Sequence, residues 1–263
     1  MIIMNYIEKL FSLKGKVAVV VGGSGELGGE MSFALSQAGA KVAVSYAGNK
    51  EGATEQISRI ESAGGTAMAC QINAISEDSI KSAISKVIDE WGHIDILVNA
   101  PGVNSTTPIM DITEEEWNKI LDINLKGAFL TSRIVGEHMI ERGEGGSIIN
   151  ISSASSDIPL SKVFTYSISK AGMNNMTRFL AREWAPHDIR VNAIIPGFFP
   201  AEQNREILTE ERTESIFGHT PMDRFGEAEE LSGAVVWLAS KNASSFVTGS
   251  MVTVDGGFTA TTI

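Results

Sequence analysis

Cysteine is almost missing from this chain. Cys70 is the only one in 263 residues, so no intrachain disulfide and no cysteine-based metal cluster can form. A lone thiol of this kind is expected to be buried and inert. Basic residues are also scarce: 21 Lys and Arg stand against 32 Asp and Glu, a net charge of -11. Nucleic acid and anionic membranes are bound through basic patches, so neither is an expected partner. No apolar run approaches the roughly 20 residues of a membrane span. The opening Met1-Ile-Ile-Met-Asn-Tyr-Ile-Glu-Lys is too short in apolar length and too acidic for a secretory signal, and a cytoplasmic location is the expectation. His138 and His219 stand at no metal-site spacing from Asp or Glu, so no metal is expected. Trp91, Trp117, Trp184 and Trp237 fall on helix faces and read as packing residues.

What is present is the composition of a soluble globular protein with a sizeable core, 43% apolar and 20% charged. The length suits one α/β domain. Lys16-Val-Ala-Val-Val-Val21 is a β-branched run without polar alternation, as a strand buried on both faces requires. It breaks into Gly22-Gly-Ser-Gly-Glu-Leu-Gly28, after which Leu27, Met31, Ala34, Leu35 and Ala38 recur at helical spacing. Further strands are predicted at 41–46, 66–72, 94–98, 147–151, 190–195 and 250–254. Helices are predicted at 51–62, 77–90, 114–122, 125–141, from about Tyr166 to Trp184, and at 228–239. This alternation predicts an α/β fold: a single Rossmann-type, doubly wound parallel sheet of about seven strands, with helices on both faces. A lead of residues 1–14 precedes a domain over 15–263, and the long irregular stretch 196–221 reads as a substrate lid.

Two stretches carry chemistry. Gly23-x-Gly25-x-x-Gly28 follows a strand and opens a helix, the layout in which backbone approaches a pyrophosphate at a helix N-terminus. Glu26 interrupts an otherwise glycine-rich loop; near a pyrophosphate a carboxylate is repulsive, so it is expected to point to solvent. The second stretch holds Ser153, Tyr166 and Lys170. Tyr166 and Lys170 are four residues apart, so on a helix they share a face. A free tyrosine has a pKa of about 10 and is a poor base near neutrality. A neighbouring cation favours phenolate, and a nearby hydroxyl can hold a substrate oxygen in line. That set suits proton exchange with a secondary alcohol or a ketone. Taken alone, Tyr-x-x-x-Lys reads equally as an ordinary helix.

The order of the glycine loop, Asn99-Ala-Pro-Gly102, Asp122-Ile-Asn124, Asn150-Ile-Ser-Ser153, Tyr166-x-x-x-Lys170, Pro196-Gly197 and Val254-Asp-Gly-Gly257 resembles the short-chain dehydrogenase/reductase family from Leu13 to Phe258. The resemblance implies hydride transfer at a nicotinamide. Tyr166 would be the general acid/base, Ser153 would bind the substrate oxygen, and Lys170 would lower the tyrosine pKa and hold the nicotinamide ribose. Asn124 would anchor a water-linked proton path. It also implies cofactor contacts at Gly22, Ser24, Gly25, Leu27 and Gly28 of the loop, and at Tyr46, Asn49, Gln71, Ile72 and Asn99. Further contacts would come from Tyr166, Lys170, Pro196, Gly197 and Phe199. Pro101 and Gln71 depart from the family pattern, the second where an aspartate is usual near the adenine.

Choice of cofactor turns on Ser45-Tyr46-Ala47-Gly48-Asn49-Lys50, which has no carboxylate to repel a 2′-phosphate, and NAD(P) with a lean to NADP is expected. Asn104, Ser155 and Arg205 are candidate substrate contacts, a polar lining suited to a hydroxylated, anionic small molecule; Arg205 reads equally as a solvated lid charge. The 196–205 and 219–226 segments resemble the D-mannonate oxidoreductase (fructuronate reductase) and gluconate 5-dehydrogenase group. Two alternatives stand beside a sugar-acid oxidoreductase. A 3-oxoacyl-thioester (acyl carrier protein) reductase is disfavoured by the -11 charge, and a non-catalytic nucleotide sensor by the complete Ser, Tyr, Lys and Asn set. The resemblance further implies a homotetramer built through the Leu125 and Tyr166 helices and the C-terminal segment.

Overall fold

A computed structural model of the chain describes residues 5–200 and 208–261. Seven strands form one sheet: β1 (Val17–Val21), β2 (Lys41–Tyr46), β3 (Thr66–Gln71), β4 (Ile96–Asn99), β5 (Gly146–Ile151), β6 (Ile189–Pro196) and β7 (Met251–Val254). Their order is β3-β2-β1-β4-β5-β6-β7, and every neighbouring pair is parallel. The winding reverses between β1 and β4, which opens a crevice at the carboxyl ends of those strands.

The unbroken apolar run of β1 is explained by burial on both sides. Ala18 and Val20 pack with Met31, Leu35 and Leu238 on one face. Val17, Val19 and Val21 pack with Ile80, Ile84, Val135 and Met139 on the other. The first layer contains α2 (Glu26–Gln37), α3 (Lys50–Ser62) and α9 (Ser232–Ala239); the second contains α4 (Glu77–Trp91), α6 (Gly127–Arg142) and α7 (Phe164–Trp184). Each fully buried Ile or Leu in these layers contributes about 1.5–3 kcal/mol. Among the described residues no helix is long and apolar enough to cross a membrane.

Three segments differ from expectation. The lead carries a helix, α1 (Tyr6–Phe11), started by a reciprocal Asn5/Glu8 capping box. It docks on the turn before and within α10 (Lys241–Ser244), where Ser240 Oγ donates to the Leu10 carbonyl (2.7 Å). The helices predicted at 114–122 and 125–141 are one continuous rod: α5 (Glu114–Leu121) runs through a π-helical turn, Asp122–Lys126, into α6. The stretch 196–221 is not wholly irregular, since Thr209 caps α8 (Glu210–Gly218) and two glutamates occupy its first turn. Few apolar residues recur along α8, which hid it from a search by periodicity.

At the amino end of the sheet Asp95 is buried among Lys16 Nζ (3.0 Å), Arg142 Nη2 (2.8 Å), His93 Nε2 (3.0 Å) and the Val17 N–H (2.9 Å). Burial opposes its charge, but the hydrogen bonds from Val17, Arg142 and Lys16 outweigh it and hold the carboxyl below its usual range. Cys70 is buried at the end of β3, and burial pushes its thiol up to about 12, so it stays protonated near neutrality.

Candidate active site

The loop after β1 is folded against itself. The Ser45 hydroxyl accepts from the Gly22 N–H (3.0 Å), the Ser45 carbonyl accepts from the Ser24 N–H (3.0 Å), and the Gly25 N–H donates to the Gly22 carbonyl (3.1 Å). Gly22 has φ 79°, and a Cβ on Gly28 would stand 2.2 Å from the Gly22 oxygen. Only glycine fits there. Gly25 occupies the N-cap of α2 without a side chain to cover the first-turn N–H groups, so the helix start is open to an anion. Gly22, Gly25, Leu27 and Gly28 wall a cavity of about 190 Å³. Glu26 is exposed at the same rim.

Ser153, Tyr166 and Lys170 wall the same cavity. Ser153 lies just past β5 at the N-cap of a short 3-10 turn, Ala154–Ser156, and its Oγ accepts from both the Ser155 N–H (3.2 Å) and the Ser155 hydroxyl (3.0 Å). With its lone pairs so used, the Ser153 hydroxyl proton is left to point at the phenol or at a substrate oxygen. Tyr166 and Lys170 lie on successive turns of α7, with Lys170 Nζ 5.5 Å from the centre of the Tyr166 ring. Lys170 is 3% exposed and donates to the Ile151 carbonyl (2.7 Å). Burial pushes its pKa down to about 8. Burial also pushes the Tyr166 phenol up, opposed by its hydrogen bond with Ser153. The lowered tyrosine pKa implied by the family resemblance is not seen in the free protein, where burial outweighs the hydrogen bond with Ser153.

Asn124 sits inside the π turn, fully buried. Its Oδ1 accepts from the Val103 N–H (2.8 Å), while Nδ2 donates to the Val103 carbonyl (2.9 Å) and to Ser169 Oγ (3.1 Å). The extra residue of a π turn shifts the helical register, and such turns recur at functional sites. Here it coincides with the amide that ties the loop after β4 to α7.

The family model described as Enoyl-(Acyl carrier protein) reductase matches residues 25–259. The chain belongs to the short-chain dehydrogenase/reductase family. Among relatives, the uncharacterized oxidoreductase UxuB of Bacillus subtilis (strain 168) is 37% identical, covering 95% of this chain and 96% of that protein. The 2-dehydro-3-deoxy-D-gluconate 5-dehydrogenase of Escherichia coli (strain K12) is 36% identical, covering 95% and 98%. A crystal structure of gluconate 5-dehydrogenase from Burkholderia cenocepacia J2315, in complex with NADP and tartrate, is 31% identical with a TM-score of 0.92, over 98% of this chain and all of that one (100%). This short-chain dehydrogenase/reductase is accordingly an NAD(P)-dependent oxidoreductase acting on a CH–OH group.

The remaining predicted contacts of the enzyme divide into three sets. Pro196, Gly197, Phe199 and Asn104 line the cavity. Ser155 lines it too, but its hydroxyl is committed to Ser153. Tyr46, Asn49, Gln71 and Ile72 do not line it; they lie past it, at and beyond the ends of β2 and β3. There Asn49 Oδ1 caps α3 through the Gly52 N–H, Gln71 Nε2 donates to the Ala47 carbonyl (3.2 Å), and Ile72 is buried. Asn99 faces inward instead. Its Nδ2 donates to Ser132 Oγ and to Asn150 Oδ1 (both 2.9 Å), partners inside the core, while its buried Oδ1 is left without one. Arg205 lies outside the described residues. Sequence reading missed Leu160, Val163, Leu208 and Arg212, all of which wall the cavity. The signal for Arg212 was available in Thr209-Glu210-Glu211, a helix start that places it in the first turn of α8.

Proposed function

We propose that the enzyme interconverts a secondary alcohol and a ketone on a sugar acid, of the mannonate/fructuronate or gluconate/ketogluconate type, with NADP preferred over NAD. The observation that carries this reading is the convergence of Ser153, Tyr166, Lys170 and the glycine-cradled start of α2 on one cavity. The relatives named for 2-dehydro-3-deoxy-D-gluconate and gluconate supply the substrate class. The cofactor lean is supported by the end of β2: Ser45 is buried and spent on Gly22, whereas Asn49 and Lys50 are exposed and no carboxylate stands among residues 45–50 to repel a phosphate. A relative's structure holding NADP fits the same lean.

The residues present fit a nicotinamide dinucleotide. Gly22, Gly25 and Gly28 with the start of α2 would hold the pyrophosphate, and Lys170 has two N–H donors beyond the Ile151 carbonyl for ribose hydroxyls. When bound, the nicotinamide supplies or accepts the hydride. Ser155 polarises Ser153 by donating to it, and Ser153 in turn orients the substrate oxygen. Tyr166 gives its phenolic proton to that oxygen in reduction and takes it back in oxidation. Lys170, in its charged form, favours the phenolate that appears between those steps. Asn124 holds the Val103 backbone and Ser169 in register with the tyrosine helix.

Exposed Phe129 on α6, Phe179 on α7 and Phe246 support a homotetramer built on these helices. Light scattering that returned a monomer would overturn that part. The function is tested by a panel of hexonates, ketohexonates, hexuronates and polyols with both cofactors, followed by nicotinamide absorbance. The expected result is turnover of a sugar acid with kcat/KM at least tenfold higher for NADP than for NAD. Activity confined to an acyl thioester would favour the second reading, which the description of the matching family model raises and the charge of -11 opposes.

A further inference from the structure

We propose that Arg212 is the specificity-determining residue that receives the substrate carboxylate, so that the site selects anionic over neutral polyols. The inference rests on the sugar-acid reading above and assigns its charge recognition to a residue outside the Ser153, Tyr166 and Lys170 set. Among the described residues three charged side chains stand in the cavity wall: Glu26, Lys170 and Arg212. Glu26 belongs to the glycine loop and has the wrong sign for an acid. Lys170 is buried and held on the Ile151 carbonyl beside Tyr166, where the reacting oxygen must sit. A carboxylate there would displace the alcohol carbon from the phenol. Among the described residues Arg212 is the remaining cation.

Its setting suits the task. Arg212 lies on the first turn of α8, where the Thr209 hydroxyl accepts from its backbone N–H (3.3 Å), so its Cα is fixed by the helix cap. Arg212 is only partly exposed, and among the described residues its guanidinium makes one long hydrogen bond, Nη2 to the Ser161 carbonyl at 3.4 Å. Among the described residues no carboxylate forms an ion pair with it. A guanidinium has five donors in a planar fork, and with one weakly used it keeps a bidentate face for a carboxylate. The Ser161 carbonyl that steadies it precedes Lys162, a non-glycine residue at φ 67°. Such a left-handed turn costs about 1 kcal/mol and is retained where surrounding structure requires it. The loop between β5 and α7 and the lid helix α8 thus meet at this arginine, on the wall that also contains Leu160, Val163 and Leu208. An apolar wall with one fork-shaped cation orients an acid: the carboxylate docks on Arg212, leaving a carbinol carbon further along the chain for Tyr166.

The test is calorimetric binding to the NADP-loaded enzyme, with D-gluconate as the anionic probe and D-glucitol as the neutral one of equal carbon count. The wild type is expected to bind gluconate at least tenfold more tightly than glucitol. Arg212→Gln should erase that preference by weakening gluconate at least tenfold, and Arg212→Lys should restore part of it. Unchanged NADP affinity and melting temperature in the variants will exclude a folding defect. A wild type that does not prefer gluconate, or an Arg212→Gln variant that keeps the preference, overturns the proposal. Arginine-dependent binding without turnover of any sugar acid would instead sink the proposed reaction and leave this assignment standing.

Discussion

Keeping a lysine ammonium inside a folded chain is costly, and Lys170, 3% exposed with a pKa near 8, shows the cost directly. A fall from 10.5 to about 8 corresponds to roughly 3 kcal/mol against the charged form at neutral pH. Lys170→Met removes that penalty and leaves the Ile151 carbonyl unpaired, a loss of about 1 kcal/mol. The variant should therefore be inactive yet about 1–2 kcal/mol more stable than the wild type at pH 7 in urea melts. The sign with pH follows from linkage. Between about pH 8 and 10.5 the native state binds fewer protons here than the unfolded chain, so wild-type stability rises with pH and the advantage of Lys170→Met shrinks through that window. A variant less stable than the wild type at pH 7 would show that the ammonium is better solvated than this geometry allows. Lys170 and Tyr166 were legible as a pair from their spacing. Their actual pKa directions were not, because burial is a property of the packed fold and not of a four-residue spacing.

The elements that build the cofactor cradle make a sharper contrast than sequence could. Gly25 and Gly28 look alike in a glycine fingerprint. In the fold a Cβ on Gly28 meets the Gly22 oxygen at 2.2 Å, whereas one on Gly25 finds its nearest neighbour at 3.5 Å. Gly28→Ala should destabilise the free protein by about 2 kcal/mol, as overpacking against backbone does. Gly25→Ala should change it by less than about 0.5 kcal/mol. Equal melting temperatures for the two variants would contradict the loop geometry. Strands were readable because parallel, doubly buried strands leave apolar runs without polar alternation, most plainly in 17–21. Two functional elements were not. The π turn at Asp122–Lys126 keeps helical composition and only shifts register, so the sequence around Asn124 reads as two helices with a gap. Helix α8 is polar, and its cap at Thr209 was its only outward sign.

Across the whole molecule, chemistry and anchoring sit at opposite ends of the sheet. The cavity opens past the carboxyl ends of β1, β4, β5 and β6, while Asp95 clamps the amino end through Lys16, His93 and Arg142. Asp95→Asn should cost about 2 kcal/mol, since it weakens the charge-assisted hydrogen bonds from Arg142 and Lys16, while kcat of the folded enzyme stays within twofold. Because the Asp95 carboxyl is held below its usual range, its contribution is complete above about pH 4 and lost as pH falls through the folded value. The stability gap between wild type and variant should narrow as pH falls through the folded value, and a gap that stayed unchanged along the acid limb would contradict the clamp. The alternation of strands and helices announced the fold and the side of the sheet that binds. Wall residues outside the strands and the long apolar helices, Arg212 of the polar α8 among them, had no periodic pattern to announce them. The most direct test of the whole account compares Tyr166→Phe with the wild type on a ketohexonate and NADPH, with NADPH affinity measured in parallel by fluorescence. The account predicts a fall in kcat of at least a thousandfold, with NADPH affinity within threefold of the wild type; turnover within tenfold of the wild type would contradict it.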